Sequence, residues 1–481
     1  MNRVLEIVLA VVLAATVLNF GGVGPLAYSL MEIGLFAALL ALLIRTTWQG
    51  RPPLRVSVWP VLFAVWSGLQ LVPLPVGLVR WLQPARFQGP AASLVTPAWL
   101  TLSIYPHATL LLWVRYLAYL SAFILAATLF DSRSRSSLLV RTLMGIGLIE
   151  AVYGSVEYLM GWEQIFNFNK QYYKGMATGT YINHNHFAGA LEMTLPFLAG
   201  SVLYYFRLWQ ENRRKAYSHG TQGVEPAGFQ AIVYIFLLIV MMVALVLSQS
   251  RGGILGALVS LLFIALLAQL RVRRKTWLLG LLSFMGLAVG YGLWIGLGSI
   301  LQRFESLSYG TQEFDIATRL SFAKDALGLI RDYPWTGSGL GTFVVAFRHY
   351  QTNFATLFID HPHNDYVEFA AETGLLGAAL LFLPMVYLLV KMIATFLSDS
   401  RRYRSSVVLG CVGALLAILL HSVMDFNLQI PANALILSVV LGVGYKAACV
   451  ERREEGPAIR TVVKRRVVRA GRPTAPPHPP A

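Results

Sequence analysis

The sequence predicts an all-α, polytopic membrane protein of about twelve transmembrane helices, with one large loop on a single face. Three observations predict it. Of 481 residues, 56% are hydrophobic and only 13% charged, at a mean hydropathy of +0.60; a soluble domain carries about a quarter charged residues. Apolar runs of the roughly 20 residues that a bilayer core needs recur along the chain. The basic residues gather in short clusters on alternate connections between those runs. That distribution accounts for the net charge of +16 without a nucleic-acid partner. The two cysteines, Cys411 and Cys449, lie in apolar settings and make neither a disulfide framework nor a zinc site.

In order, the runs fall near 4–21, 27–44, 56–74, 108–130, 138–160, 186–206, 231–249, 253–270, 277–297, 374–397, 405–425 and 431–448. The first follows Arg3 without a clear small-residue cleavage site, and another span follows at once, so it reads as a retained helix rather than a signal peptide. Taking the N-terminus as cytoplasmic puts the clusters at Arg45–Arg55, Arg133–Arg141, Arg207–Lys215, Arg271–Lys275 and Arg401–Arg404 inside, with the tail. The chain then divides into a membrane domain over 1–448, a large loop over 298–373 within it, and a basic, Pro-rich cytoplasmic tail over 449–481. The tail composition predicts disorder on an anionic surface. Three outer segments are long: 75–107, 161–185 and 298–373. Connections beyond about 15 residues are usually functional or disordered, and the patterning of the last points to function.

Within it, Ile316, Leu320, Ala323, Leu327 and Ile330 recur at helical spacing among Arg319, Lys324, Asp325 and Arg331, which predicts an amphipathic helix at the membrane surface, ended by Pro334. Gly337, Gly339 and Gly341 lack the preceding strand and the lysine of a nucleotide loop and read as a tight turn. A second short helix is expected over Thr342–Tyr350, carrying Arg348. Asn364 is a good N-cap for the next helix, which places His361 and His363 at a helix mouth, stiffened by Pro362. The positive end of a helix attracts anions and disfavours an imidazolium; a neutral imidazole beside a bound anion suits a general base. A pair of surface histidines is the plainer reading, and both stay open. Arg251, in the connection Ser248–Gly253, is either an arginine reaching for lipid phosphates or a substrate contact. Asn183, His184 and His186 open the sixth span as capping or substrate-contacting groups, without the acidic or cysteine partners a metal site needs. Arg115, Glu150 and Glu192 fall at similar depth in their helices, and intramembrane charges are costly unless paired, so one buried cluster is expected.

The strings SQSRGGILGA, TGTYINHNHFAG, RDYPWTGSGLGTF and HPHNDYVEFAAETGLLG, in this order over residues 100–445, resemble the O-antigen ligase and polymerase superfamily of bacterial envelopes. The resemblance implies a glycosyltransferase of the C class in the inner membrane, with its active site on the periplasmic face. It implies transfer of a glycan from a polyprenyl (undecaprenyl) diphosphate carrier to lipid A core, another glycan or a protein hydroxyl, in lipopolysaccharide or exopolysaccharide biosynthesis. It implies neither metal nor nucleotide cofactor, and none of the eight aspartates forms a DxD pair. Carried over residue by residue, His363 takes the place of the family's catalytic histidine, and Arg251 and Arg319 those of its diphosphate-binding arginines. His361, Arg348 and Tyr350 are further candidates, with Asp365 or Glu368 to orient a histidine. Two histidines flank Pro362 here, unlike in many ligases, so the base assignment stays open between them. Ligase, repeat polymerase and protein O-glycosyltransferase share these motifs. A polyprenyl-glycan transporter or flippase would also suit twelve helices, but its polar groups belong near the midplane on broken helices, whereas these gather in the outer half.

Overall fold

The computed structural model describes residues 2–50, 57–88, 97–131, 137–219, 226–272, 286, 316–352 and 358–451. They form an all-α bundle: α1 (Asn2–Leu18), α2 (Pro25–Trp48), α3 (Val58–Leu69), α4 (Val76–Leu82), α5 (Pro106–Leu129), α6 (Leu138–Leu159), α7 (His184–His219), α8 (Pro226–Leu247), α9 (Arg251–Val272), α10 (Ile316–Asp332), α11 (Phe343–Ala346), α12 (Asp365–Ser398), α13 (Arg402–His421) and α14 (Pro431–Tyr445). Four of them, α2, α5, α8 and α14, begin on proline, whose fixed φ suits a first turn that needs no N–H donor. Two antiparallel strand pairs, Leu74–Pro75 with Trp99–Leu100 and Gln164–Ile165 with Phe168–Asn169, pin the connections.

Among the described residues, nine helices are long and apolar enough to cross a membrane. With α1 and the shorter α3, they coincide with eleven of the twelve apolar runs; the run at 277–297, the loop up to residue 315 and the tail from 452 lie outside the described residues. The chain stays helical past 448, through a π turn over Lys446–Val450.

The bundle is built around α7, whose apolar span is 94% buried, with α13 and α14 beside it. Glycines let these helices meet at backbone distance: a Cβ on Gly200 would lie 2.4 Å from the Ser406 carbonyl oxygen, and one on Gly410 would lie 2.6 Å from the Phe197 ring. Connections gather at two ends, as alternating spans require. At one end Gln70 Nε2 donates to the carbonyls of Thr336 (2.7 Å) and Glu372 (2.9 Å), Thr180 Oγ1 donates to Val17 O (3.0 Å), and Ala177 N donates to Leu247 O (3.1 Å). At the other, Glu6 accepts from Leu138 N (2.9 Å) and Arg271 donates to Phe396 O (2.6 Å) and Ser405 Oγ (2.7 Å).

The α10 helix forms where expected but turns a different face inward. Phe322, Ala326 and Leu329 are buried with Phe343, Phe347, Ile359 and Ala371 in a small second core, while Leu320 and Leu327 of the expected apolar stripe are exposed. Beside a membrane a helix has two apolar directions, protein and lipid, and periodicity alone does not separate them. Arg115, Glu150 and Glu192 correct the expectation of one cluster, because each has its own partner. Arg115 pairs with Glu32 (3.2 Å) and lies over the Tyr28 ring; Glu150 accepts from the Thr180 amide and hydroxyl; Glu192 pairs with His421 (3.0 Å).

Candidate active site

The first turn of α12 organises the site. Asn364 caps it, its Oδ1 accepting from Val367 N at 3.0 Å. His363, just before the cap, has a left-handed backbone (φ +52°), uncommon for a residue with a side chain and found where surrounding structure imposes it. The imposing structure is the turn after α13. Asn364 Nδ2 donates to Val423 O (2.9 Å), and Asp365 N donates to Ser422 O (3.0 Å) and Asp425 O (3.2 Å). The buried Asp365 carboxylate accepts from Leu428 N (3.2 Å). The α12 helix then breaks at Gly374 (φ +70°), where a Cβ would lie 2.2 Å from Trp335 O. Gly337, Gly339 and Gly341 all have positive φ, which bears out the tight turn; a Cβ on Gly337 would meet Glu372 backbone at 2.2 Å. These two crossings lock the glycine loop onto α12.

Asp425 sits at the centre, fully buried. Its Oδ1 lies 3.5 Å from His363 Nδ1 and 3.7 Å from His186 Nε2, and its Oδ2 lies 3.4 Å from Arg319 Nη1. Arg319 Nη1 also donates to Met424 O at 2.6 Å. Burial alone would push the Asp425 carboxyl up, but the His186 and His363 imidazoles that face it hold it well below the usual carboxylate range. Phe426 is the wall between the histidines: His361 stacks on its ring at 4.2 Å, while His363 (4.9 Å) and His186 (4.7 Å) meet it edge-on. His361 Nδ1 lies 2.7 Å from Glu368 Oε1. Burial would lower the His361 pKa, but the Glu368 carboxylate one turn into α12 raises it to about 9. Two carboxylate–imidazole pairs therefore flank one phenyl ring. Among the described residues no group of three His, Cys, Asp or Glu side chains is arranged to hold a metal ion.

Residues 236–382 match the family model described as O-antigen ligase. Over this stretch the chain is similar to the O-antigen ligase family. No curated protein matches the chain. The O-antigen ligase segment contains Arg251, Arg319, Arg348, Tyr350, His361 and His363; His186 and Asp425 lie outside it and join the site through the fold.

The structure brings His361, His363, Asn364, Asp365, Glu368, Arg319 and His186 together. Arg251 is the exposed first residue of α9. Its neighbours Gly252 and Gly253 pack on His421, four residues before Asp425. His184 Nδ1 lies 2.7 Å from Ser248 O and ties α7 to the connection before Arg251, while Asn183 Oδ1 caps Asn185 N (2.8 Å). Arg348 and Tyr350 make their described contacts elsewhere. The Arg348 guanidinium lies 5.2 Å over the Phe358 ring, and Tyr350 OH donates to Asp332 Oδ2 at 2.6 Å. Asp425 is the residue that sequence reasoning misses, because it falls at the end of the apolar run over 405–425. The helix ends at His421, and an aspartate at the mouth of an apolar run was the available signal.

Proposed function

We propose that this membrane protein of the O-antigen ligase and polymerase superfamily transfers a glycan from a polyprenyl diphosphate carrier to an acceptor hydroxyl on the periplasmic face, as an inverting, metal-independent glycosyltransferase. The observation that carries the reading is the buried Asp425 carboxylate, bracketed by His363 on one oxygen and Arg319 on the other.

Asp425 against Nδ1 leaves His363 Nε2 to take the acceptor proton, and the ionised carboxylate stabilises the imidazolium that forms. The oxygen attacks the anomeric carbon as the bond to the diphosphate breaks, and the electron pair leaves with the polyprenyl diphosphate. Attack opposite the leaving group inverts the anomeric centre. Arg319 and Arg251 neutralise charge on the departing phosphate, where a planar guanidinium suits bidentate contact. His361 suits a different role from His363. Held protonated by Glu368 at neutral pH, it is a cation beside the anion site rather than a base. His186 braces Asp425, and Asn364 and Asp365 fix the helix mouth.

Transfer to lipid A core, as a ligase, is the leading assignment within this class; repeat polymerisation is the second, since both need the same site. Purified protein with a synthetic polyprenyl-diphosphate glycan and candidate acceptors tests the chemistry. His363→Ala should lose on the order of 10²–10⁴-fold in transfer rate. Full transfer by that variant would remove His363 as the base, and loss of activity with a chelator would remove the metal-free mechanism. Surface glycans of a deletion strain separate the acceptors: chains missing from lipid A core indicate a ligase, and short uncapped chains a polymerase.

A further inference from the structure

A third carboxylate–imidazole pair adjoins the site and takes no part in the mechanism above. His421 Nδ1 is 3.0 Å from Glu192 Oε1, and both side chains are almost completely buried, His421 at the end of α13 and Glu192 on α7. A buried carboxylate carries a large desolvation cost, and helix packing alone would be met by apolar residues. The first turns of α9 are stripped to backbone where they meet this pair. A Cβ on Gly252 would lie 2.6 Å from His421 Cδ2, one on Gly256 would lie 2.8 Å from Glu192 Oε2, and one on Gly253 would lie 2.5 Å from Ala188 Cβ. Glycine is a poor helix former compared with alanine, so three in five residues indicate that close approach is needed there.

The imidazole thus touches two arms of the site at once. One face presses on the backbone that follows Arg251. Its own chain runs on through Ser422, which accepts from Asp365 N, to Met424, which accepts from Arg319, and then to Asp425. We infer that His421, held by Glu192, is a positioning residue that sets the spacing between Arg251 and Arg319. The inference rests on the proposed diphosphate role of those two arginines. A misplacement of about 1 Å between groups that must grip one substrate can cost on the order of 10²-fold, which gives such a spacer a measurable role.

Glu192→Gln keeps the size of the anchor and removes its charge. Gly252→Ala leaves the pair intact and drives a methyl group into the His421 ring. Both should raise the donor KM about five- to twentyfold and raise the inhibition constant of inorganic pyrophosphate by a similar factor, with the acceptor KM unchanged. In a His421→Ser background, which removes the ring, adding Gly252→Ala should raise the donor KM no further. Each variant is scored on protein that elutes as a single folded species. Wild-type donor KM and pyrophosphate inhibition in folded Glu192→Gln and Gly252→Ala would overturn the inference, as would equal changes in donor and acceptor KM. Should neither variant fold, the pair is a fold-stabilising element and the inference is likewise overturned. If Arg251→Ala itself leaves the donor KM unchanged, the reading of the arginines fails, independently of the pair.

Discussion

Asp425 faces three side chains of the candidate site, with Arg319 on one oxygen and His363 and His186 on the other. Asp425→Asn keeps the shape and removes the charge that would stabilise a protonated His363. Its transfer rate should fall at least about 10²-fold while donor binding changes less, as read in kcat and KM of the purified variant. His361 makes a pH prediction whose sign follows from its partner. Its folded pKa, raised by Glu368 from an ordinary 6.5 to about 9, means the pair's contribution to stability is full below pH 6.5 and lost as pH rises through about 9. Melting in detergent across that window should show the decline, and Glu368→Gln should flatten it; an unchanged slope would remove the pair as its source. Asp425 runs the other way. Its depressed pKa gives stability present above the ordinary carboxylate range and lost as pH falls through its folded value.

At the scale of elements, α12 is held by a side-chain cap at its mouth and by two backbone crossings at Glu372 and Gly374. Asn364→Ala removes the cap and should cost about 1 kcal/mol, lowering the melting temperature by a few degrees. Gly337→Ala is a different matter. The added methyl would lie 2.2 Å from the Glu372 backbone at a φ of +67°, so the glycine loop must leave α12. Loss of folded protein on size exclusion is the expected outcome; normal yield would show that the crossing is adjustable. The cap was legible in the sequence because an N-cap is a local device that asparagine performs through its own next turn. The break at Gly374 was legible only as the start of an apolar run. Its cause, the Trp335 carbonyl oxygen against that glycine, comes from about forty residues away.

For the molecule as a whole, buried amides stitch the early connections to the glycine loop and α12. Gln70 donates to Thr336 and Glu372 carbonyls and accepts from Leu340 N, and Gln83 donates to Leu102 O, Thr336 Oγ1 and Gly337 O. Gln70→Leu strands three backbone groups at about 1–3 kcal/mol each and should lower folded yield as well as transfer. Sidedness is testable independently. Single cysteines at Thr352 and Asp360 in a cysteine-free background should label from the periplasm, and one at Asn2 should not; the reverse pattern would move the proposed chemistry to the cytoplasmic face.

Hydrophobic run length and the alternation of basic clusters determined the helical class and the order of spans, because the bilayer imposes a length and a polarity on each segment separately. Local chemistry determined the Asn364 cap and the glycine turn, each written within a few residues. Tertiary structure alone decided which charges meet. His186, Arg319, His363 and Asp425 are spread over some 240 positions of the chain, and periodicity carries no information about which helix mouths adjoin. The same limit hid the buried face of α10 and the separate partners of Arg115, Glu150 and Glu192. A buried charge must find its counter-charge, but the sequence does not say where, because that pairing is a property of how helices pack rather than of any one of them. The large loop supplies His361 and His363, while the carboxylate that joins His363 to Arg319 comes from a short turn after α13, outside that loop.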